Sequence, residues 1–250
     1  MQDTYIGDEG KGFPLVLVHG FLGSSRMWEP QIDFFKDYFR VITPDLPGYG
    51  KSNKVKSHNS IQSMANLLLD CLEEKKIDKF YLLGHSMGGM VVQEMAKRGG
   101  DKISKLVCYS TGPKGEMPGR FETVARSREN FKKNGLEITA KNITKTWFIK
   151  GEEAKHFDIC IDAGKQTSME TVENSLVAIK NWNCVDALKN IKNETLIVWG
   201  GQDKSYNLEQ IQTLENNIEN SKLIIFKNCA HNVHLEQPDQ FNKTIKDFLL

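Results

Sequence analysis

The chain has little that would tie it to a membrane, to nucleic acid or to an oxidising compartment. No stretch approaches the 18 or so uncharged apolar residues that a spanning helix needs. The first residues, MQDTYIGDEGKGF, carry no basic segment followed by an apolar one, so no secretory leader is expected. Charge is nearly balanced, 33 Lys and Arg against 32 Asp and Glu, which argues against nucleic acid or an acidic lipid surface as partner. The five cysteines (Cys71, Cys108, Cys160, Cys184, Cys229) are odd in number and scattered, without C-x-x-C spacing. Reduced thiols in a cytoplasmic protein are the expectation.

What is present is ample apolar material, 39% of 250 residues, arranged in a repeating order. LVLVH (15–19), RVITP (40–44), FYLLG (80–84), KLVCYS (105–110), TLIVWG (195–200) and KLIIF (222–226) are short, continuous apolar runs. Such runs read as strands covered on both faces. Helical periodicity lies between them, over 61–74 and 91–98, and again over 240–250 at the end. The alternation predicts an α/β fold with a mostly parallel sheet and helices on both faces. From Pro113 to Trp182 the rhythm stops, with helical patterns but no buried strand. That interval is too long for a structureless loop and is expected to form a helical cap, 113–182, over a core of 1–112 and 183–250.

Within LLGHSMGGMVV, Gly84-His85-Ser86-Met87-Gly88 matches G-x-S-x-G, the pattern of a nucleophilic serine on a sharp strand-to-helix turn. A serine hydroxyl needs a base, a group that orients the base, and donors for the oxyanion. The base is expected late in the chain, where NCAHNVHLEQPDQF offers His231 and His234. His231 follows the last predicted strand as a loop base would and is favoured, with His234 packing beneath the final helix. The spacing H-N-V-H lacks the acidic partner and third ligand of a zinc site, so no metal is expected. Asp203, just past the strand ending at Gly200, is the candidate orienting acid. The oxyanion donors are expected to be the backbone N–H groups of Met87 and Phe21, the latter from the loop after LVLVH.

Together, HGFLGSSRMWEPQ (19–31), DLPGYGKS (45–52), GHSMGG (84–89), WGGQD (199–203) and AHNVHLEQPDQF (230–241) resemble the α/β-hydrolase superfamily over almost the whole chain. The resemblance implies a sheet of about eight strands, a helical cap after the sixth, and Ser86, Asp203 and His231 as a triad. Little chain precedes LVLVH, so the first family strands must be short or partly missing, and Lys-Ser-Tyr follows Asp203 where many relatives have small residues and a proline. DLPGYGKS imitates a phosphate loop, but Asp45 stands where that motif demands glycine, and no nucleotide cofactor is implied.

The style of GHSMGGMVVQEMA is similar to 3-oxoadipate enol-lactonases, small carboxylesterases and cofactor-free haloperoxidase-like esterases. These imply a serine hydrolase acting on a small ester or lactone, as a monomer or homodimer. A second expectation is carbon–carbon cleavage or carboxylate elimination, since HGFLGSS resembles a menaquinone-pathway synthase that uses cap arginines on carboxylates. Arg120, Arg126 and Arg128 are then the candidates. A third is a ligand receptor on the same fold with little turnover. Trp147, Phe121 and Arg126 are the expected substrate contacts. Met117, Phe148, Phe157 and Trp182 could also line a cap pocket, and Trp28 could flank the oxyanion loop.

Overall fold

The structure is a computed structural model, and it describes residues 4–116 and 120–250. Seven strands form one sheet: β1 (Ile6–Gly10), β2 (Pro14–Val18), β3 (Arg40–Pro44), β4 (Phe80–His85), β5 (Ile103–Tyr109), β6 (Glu194–Gly200) and β7 (Ser221–Phe226). Their spatial order is β1-β3-β2-β4-β5-β6-β7. Only β1 runs antiparallel, paired to β3 with Ile6 opposite Pro44. The sheet among the described residues thus has one strand before LVLVH, and seven where the family pattern implies about eight.

The continuous apolar runs follow from the period-2 pleat with both faces covered. Val16, Val18, Leu82, Leu106, Cys108 and Ile197 point to one side, into a core shared with helices α2 (Ile61–Glu74) and α3 (Met87–Gly99). Leu15, Leu17, Leu83, Val107, Tyr109, Leu196 and Val198 point to the other, against α1 (Glu29–Phe35) and α9 (Pro238–Leu249). In α2, Ser60 caps the first turn by accepting from Ser63 N (3.2 Å), and Ile61, Met64, Ala65, Leu68 and Leu72 form the buried stripe. In α9, Pro238 occupies the first turn, where its missing N–H costs nothing.

Between β5 and β6 the described residues form α4 (Val124–Lys145), α5 (Phe157–Lys165) and α6 (Met169–Asn181), and add no strand to the sheet. Gly135, at φ +77°, breaks α4 into two helical stretches. α7 (Leu208–Asn217) links β6 to β7, and the short α8 (Val233–Glu236) precedes α9. The segment after β5 is tied to the rest by polar contacts: Tyr49 Oη donates to Ser175 Oγ (2.7 Å), and Thr167 Oγ1 donates to Gly48 O (3.2 Å).

Candidate active site

Ser86 sits in the single residue between β4 and α3, at φ 57° and ψ −119°. A non-glycine residue there costs on the order of 1–3 kcal/mol and persists only where its surroundings impose it. Those surroundings are visible. Ser86 N donates to Tyr109 O (3.0 Å), while Ser86 O accepts from Gly89 N (2.9 Å) and from Thr111 Oγ1 (2.8 Å). The flanking glycines allow the close approach: a β-carbon on Gly84 would lie 2.3 Å from Gly88 O, and one on Gly88 would lie 2.4 Å from Val18 O. The turn puts Ser86 at the C-terminal edge of the parallel strands, at the N-terminus of α3.

The loops after β6 and β7 are joined edge to edge. Gly201 N donates to Phe226 O and Gln202 N to Cys229 O, both at 2.9 Å. A β-carbon on Gly200 would lie 1.8 Å from Ala230 O, so only glycine allows that contact. This seam brings Asp203 to His231. Asp203 Oδ2 lies 2.8 Å from His231 Nδ1, and Asp203 Oδ1 accepts from Ser205 N (2.7 Å) and Tyr206 N (3.4 Å). The Asp203 side chain is fully buried. With Nδ1–H donated to that carboxylate, Nε2 of a neutral His231 is left with its lone pair free. From behind, the His231 carbonyl accepts from Tyr109 Oη and His85 Nε2, each at 3.2 Å.

His234, the other candidate base, packs away from Ser86. It is fully buried beside Trp28 and bonded to Tyr109 Oη (2.9 Å). Burial, with the charge of His231 adding to it, pushes its pKa down to about 3. It is a neutral core histidine. Trp28 lies with it in that core, with ring centroids 4.7 Å apart.

One cavity holds both Ser86 and His231, and its wall also includes Phe21, Arg120, Phe121, Ile143, Trp147, Ile179 and Tyr206. A β-carbon on Gly20 would lie 2.9 Å from Ser86 Cβ, so the loop carrying Phe21 abuts the serine. His19 pins this loop, with Nδ1 2.8 Å from Gly20 O and Nε2 accepting from Leu46 N (3.0 Å). Among the described residues, neither Phe21 N–H nor Met87 N–H is given to a protein acceptor. The phosphate-loop lookalike has a structural task instead: Asp45 accepts from Ser25 N (2.6 Å) and Lys51 N (2.8 Å).

The expected substrate contacts divide. Phe121 and Trp147 line the cavity. Arg126 does not: it is exposed on α4 and pairs with Glu129 (2.7 Å), because helix periodicity turns position 126 to solvent while Val124 and Ser127 face inward. Arg128 pairs with Glu173 of α6. Of the three arginines, Arg120 is the one that reaches the cavity. Phe148 and Phe157 pack on each other, centroids 6.2 Å apart, and Trp182 is buried in the core. Met117 lies outside the described residues.

Tyr206 was not among the residues expected from the sequence. Its ring stacks on the His231 imidazole (5.9 Å, 17°), its N–H donates to Asp203, and it lines the cavity together with Ser86. Burial raises the phenol pKa, against the pull of Arg120. The signal available was the departure noted after Asp203, a tyrosine where small residues are usual.

A parallel sheet with one antiparallel edge strand, a strained serine after β4 and a histidine–aspartate pair after β6 and β7 define an α/β hydrolase. The family model for the α/β hydrolase fold matches residues 14–238, and the chain belongs to that family of enzymes. It is similar to the pimeloyl-[acyl-carrier protein] methyl ester esterase of Legionella pneumophila, at 30% identity over 99% of this chain and 100% of that protein. It is likewise similar to 2-hydroxy-6-oxononadienedioate/2-hydroxy-6-oxononatrienedioate hydrolase 1 of Pseudomonas putida, at 31% identity over 99% of this chain and 92% of that one. Among solved structures it shares its fold with the enol-lactonase of Burkholderia xenovorans (TM-score 0.89, 21% identity, 98% of this chain and 96% of that one).

Proposed function

We propose that the protein hydrolyses a small carboxylic ester or lactone through an acyl-enzyme on Ser86. The observation that carries this reading is the geometry of one cavity: a strained serine shares it with a histidine whose Nδ1 is held at 2.8 Å by a fully buried aspartate. His231 Nε2 takes the Ser86 proton as Oγ attacks the acyl carbon, and Asp203 steadies the imidazolium. The N–H groups of Phe21 and Met87 receive the oxyanion, aided by the N-terminus of α3. His231 returns the proton to the leaving oxygen, then activates a water that frees the acid. Residues 113–182 serve as a cap that shapes the acyl pocket through Phe121 and Trp147, over a core of 1–112 and 183–250.

Support for an ester substrate comes from the Legionella relative, which is named as a methyl ester esterase. A second reading, carbon–carbon hydrolysis on the same triad, has its own support. Arg120 places a cation in the cavity, where it can meet an acidic group on the substrate, and the Pseudomonas relative is named for a dioate. The test is multiple turnover on a panel of short-acyl esters, lactones and vinylogous 1,5-diketone acids, beside Ser86→Ala. Ester or lactone turnover that vanishes in the variant supports the first reading, and turnover confined to the diketone acids supports the second. No turnover on either class overturns both.

A further inference from the structure

His231 is pinned through its neighbours on both sides. Ala230 N donates to Glu236 Oε2 (2.6 Å), and Ala230 O lies where a β-carbon on Gly200 would come within 1.8 Å of it. Asn232 N donates to Trp147 O (3.0 Å). The other oxygen of Glu236 accepts from Ile149 N (2.7 Å), two residues beyond Trp147, whose ring stands 6.0 Å from the His231 imidazole. The turn of α8 brings this carboxylate back to the loop, with Leu235 N and Glu236 N both donating to Asn232 O. An ionised carboxylate is the side chain that offers two acceptor oxygens and no donor. Burial raises the pKa of Glu236 against those two bonds, and no lysine or arginine among the described residues pairs with it. A half-buried carboxylate without a cation is costly, so what offsets that cost is its pair of N–H donors.

We infer that Glu236 is a positioning residue for the proposed hydrolysis, holding His231 and the Trp147 wall of the cavity in one frame around Ser86. This rests on the serine-hydrolase reading above. One oxygen sets the loop that carries the base, and the other sets the chain that carries the wall. The place of a bound ester relative to His231 is then fixed by one group that grips both sides. The two oxygens also let the two effects be separated. Glutamine retains a single acceptor oxygen, and an unpaired N–H costs more at the part-buried Ala230 than at the exposed Ile149. Glu236→Gln therefore keeps the bond to Ala230 and sets an amide NH2 against Ile149 N–H. The wall is then tied to the loop only by Asn232 N on Trp147 O. Glu236→Ala releases both sides.

The test combines the rate at which a short-chain fluorophosphonate labels Ser86 with steady-state hydrolysis of p-nitrophenyl butyrate. It uses wild type, Glu236→Gln, Glu236→Ala, Trp147→Ala and the double variant Glu236→Gln/Trp147→Ala. Active sites are counted by the label, so unfolded protein does not enter kcat. Glu236→Ala should label at least about tenfold more slowly than wild type, because the loop of the base is loosened. Glu236→Gln should raise KM by about threefold or more, with a smaller loss in kcat and in labelling rate. In the Trp147→Ala background the same glutamine should change KM by less than about 1.5-fold, since the wall it frees is already gone. Two results overturn the inference. One is folded Glu236→Ala that labels at the wild-type rate. The other is a glutamine effect on KM that is absent, or equal with and without Trp147, as a merely structural glutamate would give. Should Glu236→Ala not fold, the cycle between Glu236→Gln and Trp147→Ala decides alone. Wild type that never labels would instead defeat the serine-hydrolase reading on which this one stands.

Discussion

In the proposed mechanism Asp203 orients a base rather than carrying charge away, and the size of its effect separates those roles. Asp203→Asn keeps the side-chain volume but offers His231 a donor as well as an acceptor, favouring the wrong tautomer. Turnover of whichever ester proves active should fall by about 10³–10⁴, with the melting temperature little changed. A loss under tenfold would remove Asp203 from the site. Trp147 and Phe121 have a different task, since both only line the cavity. Trp147→Ala should raise KM and shift preference toward bulkier acyl groups, as seen by comparing acetyl with hexanoyl esters; an unchanged preference would place the acyl group elsewhere. At this scale the sequence pointed to Ser86, Asp203 and His231 by residue type, and the structure brings His231 against Asp203 and onto one cavity with Ser86. The sequence was silent where geometry decides. Arg126 and Arg120 look alike in the sequence, yet Arg126 lies on the solvent face of α4 while Arg120, in the segment before that helix, reaches the cavity.

The turn at Ser86 depends on two elements approaching without side chains between them. Gly84→Ala would place a β-carbon 2.3 Å from Gly88 O, a backbone atom that cannot yield cheaply. A loss of more than about 2 kcal/mol in urea unfolding is expected, or failure to accumulate as folded protein; a change under about 0.5 kcal/mol would show that strand and helix are less tightly joined. A second junction is carried by Glu236. One oxygen accepts from Ala230 N (2.6 Å), beside His231, and the other from Ile149 N (2.7 Å), after α4. Glu236→Gln must leave one of those N–H groups without its acceptor; loss at the part-buried Ala230 N would cost about 1–3 kcal/mol in urea unfolding, and loss at the exposed Ile149 N less. Elements were legible wherever both faces of a strand or one stripe of a helix are buried, and α2 falls on the very residues its periodicity predicts. β1 was not legible. IGDEG is an edge strand whose only inward side chain of note is the half-buried Ile6, so no apolar pattern marks it.

At the scale of the whole molecule, the core beneath the site holds histidines that must stay neutral. Burial depresses the pKa of His85 well below its ordinary value, and that of His234 to about 3. An unfolded chain protonates both near pH 6.5, whereas the native state resists until far lower. The unfolded state therefore binds more protons across that interval, and stability present above pH 6.5 is lost as pH falls toward 3. The slope should approach about 1.4 kcal/mol per pH unit for each ring, read from urea midpoints at several pH values. His234→Gln should remove one ring's share, and an unaltered slope would mean that His234 is not the group responsible. Among the described residues no helix is long and apolar enough to cross a membrane.

The central claim is that Ser86 is a nucleophile, and a fluorophosphonate probe tests it without any knowledge of the substrate. The folded protein should gain a single adduct by intact mass, digestion should map it to Ser86, and Ser86→Ala should gain none. Folded protein that stays unlabelled, or labels elsewhere, would contradict the claim and return the glycine-flanked serine to the role of a turn.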